Sequence, residues 1–201
     1  MMRGLFLSLS ILHRTLLVVL FFGGVVWIVD QHIPFAGVRT IEYTSGVPNG
    51  SVTRPHPLDR IEDISDGRGG VVEKLREEPV YFEVKTSANY EQATIRVRFQ
   101  NNATVPMQLG VKLGDTNGAV RLVPIRSEKA EGEWTVGDAT FDLKDIPRVN
   151  GRYSFLFSIP GVQHEHPERG SVSLSRMTIK LDRRPATASE YLDPIRRMIR
   201  L

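Results

Sequence analysis

From Val80 onward the chain alternates apolar and polar residues with a period of two, in short runs separated by turn-forming residues. Val80, Phe82 and Val84 alternate with Tyr81, Glu83 and Lys85; Ile95, Val97 and Phe99 alternate with Arg96, Arg98 and Gln100. Met107, Leu109, Val111 and Leu113 form another apolar row, Val120 to Ile125 returns as a strand ending near Pro124, and Tyr153, Phe155, Phe157 and Ile159 form the most aromatic row. Successive side chains of a strand point to opposite faces, so each run has one face to bury. Val71 to Leu75 reads as a first strand, and Trp134, Val136, Phe141 and Leu143 as two short ones. No amphipathic helix of useful length competes here. Seven to nine short, half-buried strands with turns between them predict an all-β fold, a β-sandwich.

The last strand breaks the pattern in one place. Val172 and Leu174 share a phase, and Met177, Ile179 and Leu181 share the opposite one. A period-two strand changes phase only through a bulge or bend, so the sequence predicts either a strand turning a sandwich corner or two separate strands.

Ahead of this region lies Thr15 to Val29, an uncharged apolar run between Arg14 and Asp30. A lipid core of about 30 Å needs about 20 helical residues. The expected transmembrane helix therefore takes residues 15–35, with Arg14 at its inner edge, Trp27 near the outer interface, and Thr15 and Val29 bounding the apolar stretch. Arg3 and Arg14 precede the run and Asp30 follows it, which orients the N-terminus to the cytoplasm and the domain outward. The rival reading is a cleaved signal peptide, with Pro34 a poor residue three positions before a cut after Ala36; either reading exports the domain. A buried core helix is the third reading. The expected organisation is a cytoplasmic or interfacial segment 1–14, the single-pass anchor 15–35 in the cell membrane, a linker 36–54 containing one short strand at Arg39 to Tyr43, an extracytoplasmic sandwich 55–184, and a basic tail or short helix 185–201. The tail opens on Asp193-Pro194, a helix-start signal, and Arg196, Arg197 and Arg200 flank Ile195, Met198 and Ile199.

Charge and composition exclude several functions. The formal net charge is +3, and the 26 basic residues are interspersed with 23 acidic ones, which gives no nucleic-acid signature. The absence of cysteine excludes disulfides, thiolate metal sites and cysteine nucleophiles. No G-x-S-x-G, H-E-x-x-H or phosphate-loop lysine motif occurs, and Gly67-Arg68-Gly69-Gly70 lacks the third glycine and the strand–helix setting of a dinucleotide loop. Catalysis is therefore not expected.

The binding candidates are aromatic and basic. Tyr81, Tyr90 and Trp134 are the residues for stacking against sugar rings, and Tyr81 sits on the polar phase of its strand. Arg96, Arg98, Lys112, Arg176 and Lys180 also lie on polar phases and form a basic stripe if their strands are neighbours. His164 and His166, with His56 as a third ligand, are weak candidates for zinc, and no metal site is expected from them. Asp115-Thr116-Asn117-Gly118 and the trio Asp138, Asp142 and Asp145 offer oxygen ligands, which makes a structural calcium the one cofactor compatible with the sequence.

One stretch carries a family resemblance. Gly151-Arg152-Tyr153-Ser154-Phe155-Leu156-Phe157 leads to Ile159-Pro160-Gly161, a polar loop, and then Ser173-Leu174-Ser175-Arg176-Met177-Thr178-Ile179-Lys180-Leu181. This resembles the closing strands of galactose-binding-like jelly rolls, the fold of many carbohydrate-binding modules. The resemblance covers roughly a third of the chain and is a strand pattern without a matched sugar-contacting motif. It implies a jelly-roll sandwich that binds a glycan or another envelope component, often with a structural calcium. The function expected from the sequence is thus a membrane-anchored, non-enzymatic binding module for an envelope glycan or surface component. The alternative is a structural or assembly subunit whose partners are membrane lipid and other membrane proteins.

Overall fold

The computed structural model of the protein describes residues 13–24, 37–67, 69–102, 106–114, 118–162 and 170–184. Among them, eleven strands form two antiparallel sheets: β1 Val38–Thr44, β2 Ile61–Ser65, β3 Val71–Leu75, β4 Val80–Lys85, β5 Gln92–Asn101, β6 Gln108–Lys112, β7 Val120–Pro124, β8 Arg126–Glu131, β9 Trp134–Asp142, β10 Arg152–Ser158 and β11 Val172–Asp182. The larger sheet runs β2-β3-β11-β5-β9-β8, with β1 also paired to β11; the smaller runs β4-β10-β6-β7. The expected β-sandwich is therefore the observed architecture, built from more strands than the alternation alone marks.

Strand β11 organises the larger sheet. One of its edges pairs with β5 from end to end. Its other edge is shared, with Val172 to Leu174 on β3 and Arg176 to Asp182 on β1. The register shifts between Leu174 and Arg176, so the phase change legible in the sequence is a bulge at Ser175 within one strand. The bulge keeps Leu174 and Met177 both facing inward, each fully buried.

The inward phases of the two sheets meet in one core. Ile95, Val97, Met177, Ile179 and Leu181 come from the larger sheet, and Val80, Phe82, Val84, Leu109, Val111, Phe155 and Phe157 from the smaller. Phe155 lies with its ring centroid 5.6 Å from Phe82 within its own sheet and 5.6 Å from Phe141 across the layer.

Four expectations need correction. Trp134 to Leu143 was expected as two strands but is one, with an unbroken register against β5. The apolar residues change phase because Trp134 and Val136 lie on the outer face and Phe141 on the inner, without any break in the chain. Gly137 permits this course: a Cβ there would lie 2.8 Å from the Arg126 carbonyl oxygen of the neighbouring strand β8. Strands β2 and β8 go beyond the expected set. The first is an edge strand whose Ile61 and Ile64 are only half-buried, and the second has every residue exposed. An edge strand needs no apolar row, and charge along it blocks pairing with other chains.

The segment expected as a linker, 36–54, carries β1, whose Ile41 and Tyr43 are buried, and the compact unit is Val38–Arg184. The described helical residues, 13–24, include Arg14, which was expected at the inner edge of the anchor. Among the described residues no helix is long and apolar enough to cross a membrane. Trp27 and Val29, the remainder of the expected anchor and the C-terminal tail lie outside the described residues.

Replacing Phe155 with alanine removes a fully buried ring from the junction of the two sheets. The expected loss of stability is about 3–5 kcal/mol, read from urea unfolding; a loss below about 1 kcal/mol would show that Phe155 does not hold the layers together.

Candidate functional site

The sequence candidates separate onto three parts of the sandwich. Arg96 and Arg98 on β5 stand beside Thr178 and Arg176 on β11, with Lys180 further along, all on the outer face of the larger sheet. Four of the five basic residues are therefore neighbours, as the stripe required. Lys112 lies instead on β6 in the other sheet. The stripe is largely neutralised where it stands. Arg96 donates to Glu128 at 2.6 Å, Arg98 lies 3.4 Å from Glu131, and Lys180 lies 3.3 Å from Asp182. Trp134 is also engaged: the Arg98 guanidinium sits 4.5 Å over its ring centroid. Held also by Ser175 Oγ at 3.1 Å, Arg98 covers the ring face that a sugar would need.

Tyr90 is only 2% exposed, so it is not available for stacking. Its backbone N–H donates to Tyr153 Oη at 3.0 Å, and burial raises its phenol above the ordinary range. It lies in the floor of a cleft of about 480 Å³ at one end of the sandwich, with Leu143, Ile146 and Tyr153, beneath a rim that includes Asn89, Lys144, Asp145 and Arg148.

Tyr81 is the aromatic that remains available. It is half-buried on the outer face of the smaller sheet, and the strand registers place it in a transverse row. Tyr81 pairs with Leu156, Leu156 with Gly110, and Gly110 with Leu122. On the other side His56 bridges to Tyr81, their rings 6.2 Å apart. At about 4.8 Å between strands, the row from His56 to Leu122 is about 19 Å long.

Its middle is continuous because Gly110 has no side chain. A Cβ there would lie 2.7 Å from Val120, 2.8 Å from Leu122 and 3.1 Å from Leu156. Leu156 is consequently 3% exposed although it faces away from the core, while Leu122 remains 46% exposed. Polar residues flank the stripe on both sides. Glu83, Ser154 and Lys112 form the next row one way, and Ser158 and Gln108 the next row the other way. An apolar strip with hydrogen-bonding groups along both margins is suited to an extended chain that has apolar ring faces and polar edges.

His56 reaches this row because the segment before it lies along β4 like an irregular fifth strand. Lys85 N donates to Ser51 O at 2.8 Å, Thr53 N to Glu83 O at 2.9 Å, and His56 N to Tyr81 O at 2.8 Å. Asn49 starts the segment by accepting from Ser51 N at 2.8 Å. Arg54 fixes the segment to the larger sheet through Asp63 and, at 3.2 Å, through Glu73. Glu73 is fully buried; Tyr43 Oη donates to it at 2.7 Å and Ser45 Oγ stands 3.2 Å away. Burial nonetheless raises the Glu73 carboxyl above the ordinary carboxylate range, against the opposing pull of Tyr43, Arg54 and Ser45. Burial and the Glu73 charge together raise the Tyr43 phenol.

Among the described residues no group of histidine and acidic side chains could hold a metal ion, so Asp138, Asp142 and Asp145 do not form a calcium site. His164, His166 and Asp115 to Asn117 lie outside the described residues.

The chain matches no protein-family model and no curated protein. Among solved structures it is similar to carbohydrate-binding β-sandwich modules over about 70% of its length. The C-terminal CBM6 of LamC, a laminarinase from Zobellia galactanivorans, aligns with 70% of this chain and 98% of its own, at 14% identity and a TM-score of 0.42. CsCBM6-3 from Clostridium stercorarium, solved in complex with cellobiose, aligns with 71% and 93%, at 12% identity and 0.41. The CBM22-1 xylan-binding domain of Paenibacillus barcinonensis Xyn10C aligns with 74% and 91%, at 10% identity and 0.41. Likeness at this distance does not assign a ligand or a contact residue.

The raised Glu73 carboxyl has a signed consequence. Between its unfolded value, about 4.3, and its higher folded value, the folded state binds more protons. Its contribution to stability is therefore fully present below that window and is lost as pH rises through it. Denaturant unfolding across this range should show the native protein losing stability relative to Glu73→Gln; parallel curves would show that Glu73 does not titrate on unfolding.

Proposed function

We propose that the protein is a non-catalytic glycan-binding module that takes an extended polysaccharide across the outer face of β4, β10, β6 and β7. The observation that carries this reading is the row from Tyr81 to Leu122, an apolar strip with an available aromatic, margined on β4, β10 and β6 by polar side chains. Sugar rings present apolar faces that stack on Tyr81 and rest on Leu156 and Leu122. Their hydroxyls meet Glu83, Ser154 and Lys112 on one margin and Gln108 and Ser158 on the other.

The seven large apolar residues from Leu16 to Phe22 are each more than half exposed. Apolar side chains exposed in this way mark a surface to be covered by lipid or protein. We propose that this segment tethers the module to the outer side of the cell membrane, as the apolar sequence from Thr15 to Val29 suggests. Retention of the full chain in membranes washed with alkaline carbonate is the expected outcome; its release into the wash would remove the tether.

Tyr81→Ala should weaken binding to soluble xylans or β-glucans by about tenfold or more, about 1.4 kcal/mol, with thermal stability little changed. Trp134→Ala should leave binding intact. Affinity electrophoresis against a panel of polysaccharides tests both. Loss of binding with Trp134→Ala alone would move the site to the larger sheet, and co-purification with membrane proteins in place of any glycan binding would favour the assembly-subunit reading.

A further inference from the structure

The end of β4, two rows along the sheet from this stripe, collects positive charge in an unusual way. Arg39 reaches from β1 and donates to Lys85 O at 3.5 Å and to Ser51 Oγ at 2.9 Å. Arg148, in the loop before β10, donates to Thr86 O at 2.7 Å, Thr86 Oγ1 at 3.3 Å and Asn89 Oδ1 at 2.6 Å. Two guanidinium groups are thus anchored on the carbonyls of consecutive residues, and every acceptor they use is neutral. Among the described residues neither has a carboxylate partner. Lys85 is exposed between them, and Arg152 stands directly opposite it on β10. Lys112 lies two strands from Glu83 on the adjoining row. Among the described residues the carboxylate engaged here is Glu83, which accepts from Arg152 at 2.5 Å; Asp145 lies beyond, on the cleft rim with Arg148.

Hydrogen bonds to neutral oxygens fix the direction of a guanidinium without cancelling its charge, so such a group stays able to bind an anion. Several cations held this way on one corner draw anionic polymers and hold them in a salt-dependent manner. We infer that Arg39, Lys85, Arg148 and Lys112 select an acidic polysaccharide, binding the ring carboxylates of a uronate-bearing chain that lies on the Tyr81 stripe. This rests on the glycan-binding reading of that stripe and adds to it the charge class of the glycan.

The test compares polygalacturonate with its methyl-esterified form and with neutral xylan, using the full chain at low and high salt. The acidic polymer should bind about tenfold or more tightly than its ester. That advantage should shrink with salt and with Lys85→Gln and Arg148→Gln, while Tyr81→Ala weakens binding to all the polymers. Should Arg148→Gln lower the melting temperature, Lys85→Gln with Lys112→Gln replaces it, since neither lysine is an anchor of the fold. Equal binding to acid and ester, both dependent on Tyr81, would overturn the charge selection and leave the glycan reading standing. Binding to polyphosphate but not to polygalacturonate would overturn the carboxylate assignment. No binding to any polysaccharide would remove the glycan reading and this inference together.

Discussion

The larger sheet depends on a single irregularity, the bulge at Ser175 that lets β11 serve two strands along one edge. Before the bulge β11 holds β3, and after it β11 holds β1. The handover point is tied from outside by Ser45, whose N–H donates to Ser175 O at 3.1 Å and whose hydroxyl donates to Leu174 O at 2.8 Å. That turn closes over β3 and seals Glu73 from solvent. A buried carboxylate is costly unless hydrogen-bonded and paired, and here Tyr43 and Arg54 meet that need. Arg54 in turn carries the segment that lies along β4 and ends at His56. The position of one end of the proposed binding row therefore follows from a bulge in the opposite sheet.

The smaller sheet departs from the usual division of a sandwich into an apolar inside and a polar outside. Leu156 is as buried as a core residue yet takes no part in the core. Val120 and Leu122 lean over Gly110 to cover it, and the removal of one Cβ makes this possible. The arrangement hides part of the apolar surface and leaves Tyr81 and Leu122 partly open. A fully exposed strip of this length would invite association between copies. A half-covered one keeps enough apolar area to gain from contact with a ring face, with polar groups at its margins to supply direction.

Some of this was legible in the sequence and some was not, for identifiable reasons. The phase change in β11 was read correctly because bulges leave a mark that period-two alternation exposes. The same kind of mark in β9 was misleading: Trp134 and Val136 are apolar residues on an outer face, where Trp134 serves as a platform for Arg98. Strand β8, Arg-Ser-Glu-Lys-Ala-Glu, has no apolar row at all, and only its pairing with β9 makes it a strand. Tyr81 was identifiable from its polar phase, whereas Tyr90 has no such phase, and its burial between the β4–β5 and β9–β10 loops is set by tertiary packing. The row itself was not legible, because Tyr81, Leu156, Gly110 and Leu122 come together through three strand registers that no local pattern specifies.

The two outer faces also show why basic residues cannot be interpreted by counting. The larger sheet carries a basic stripe, but its Arg96 and Arg98 face Glu128 and Glu131 on β8, an edge strand whose acids neutralise them. At the end of the smaller sheet Arg152 is likewise paired, with Glu83, but Arg39 and Arg148 are held by backbone and side-chain oxygens that carry no charge. Surface ion pairs contribute little to stability, so the pairing on the larger sheet matters mainly for what it removes: an attractive field. With Arg39 and Arg148 on neutral acceptors, the end of β4 keeps part of its field. Both outer faces are largely polar, and the positive end of β4 belongs to the face that also offers an available aromatic ring and an apolar strip. That coincidence favours a ligand in which ring faces and negative charge occur together.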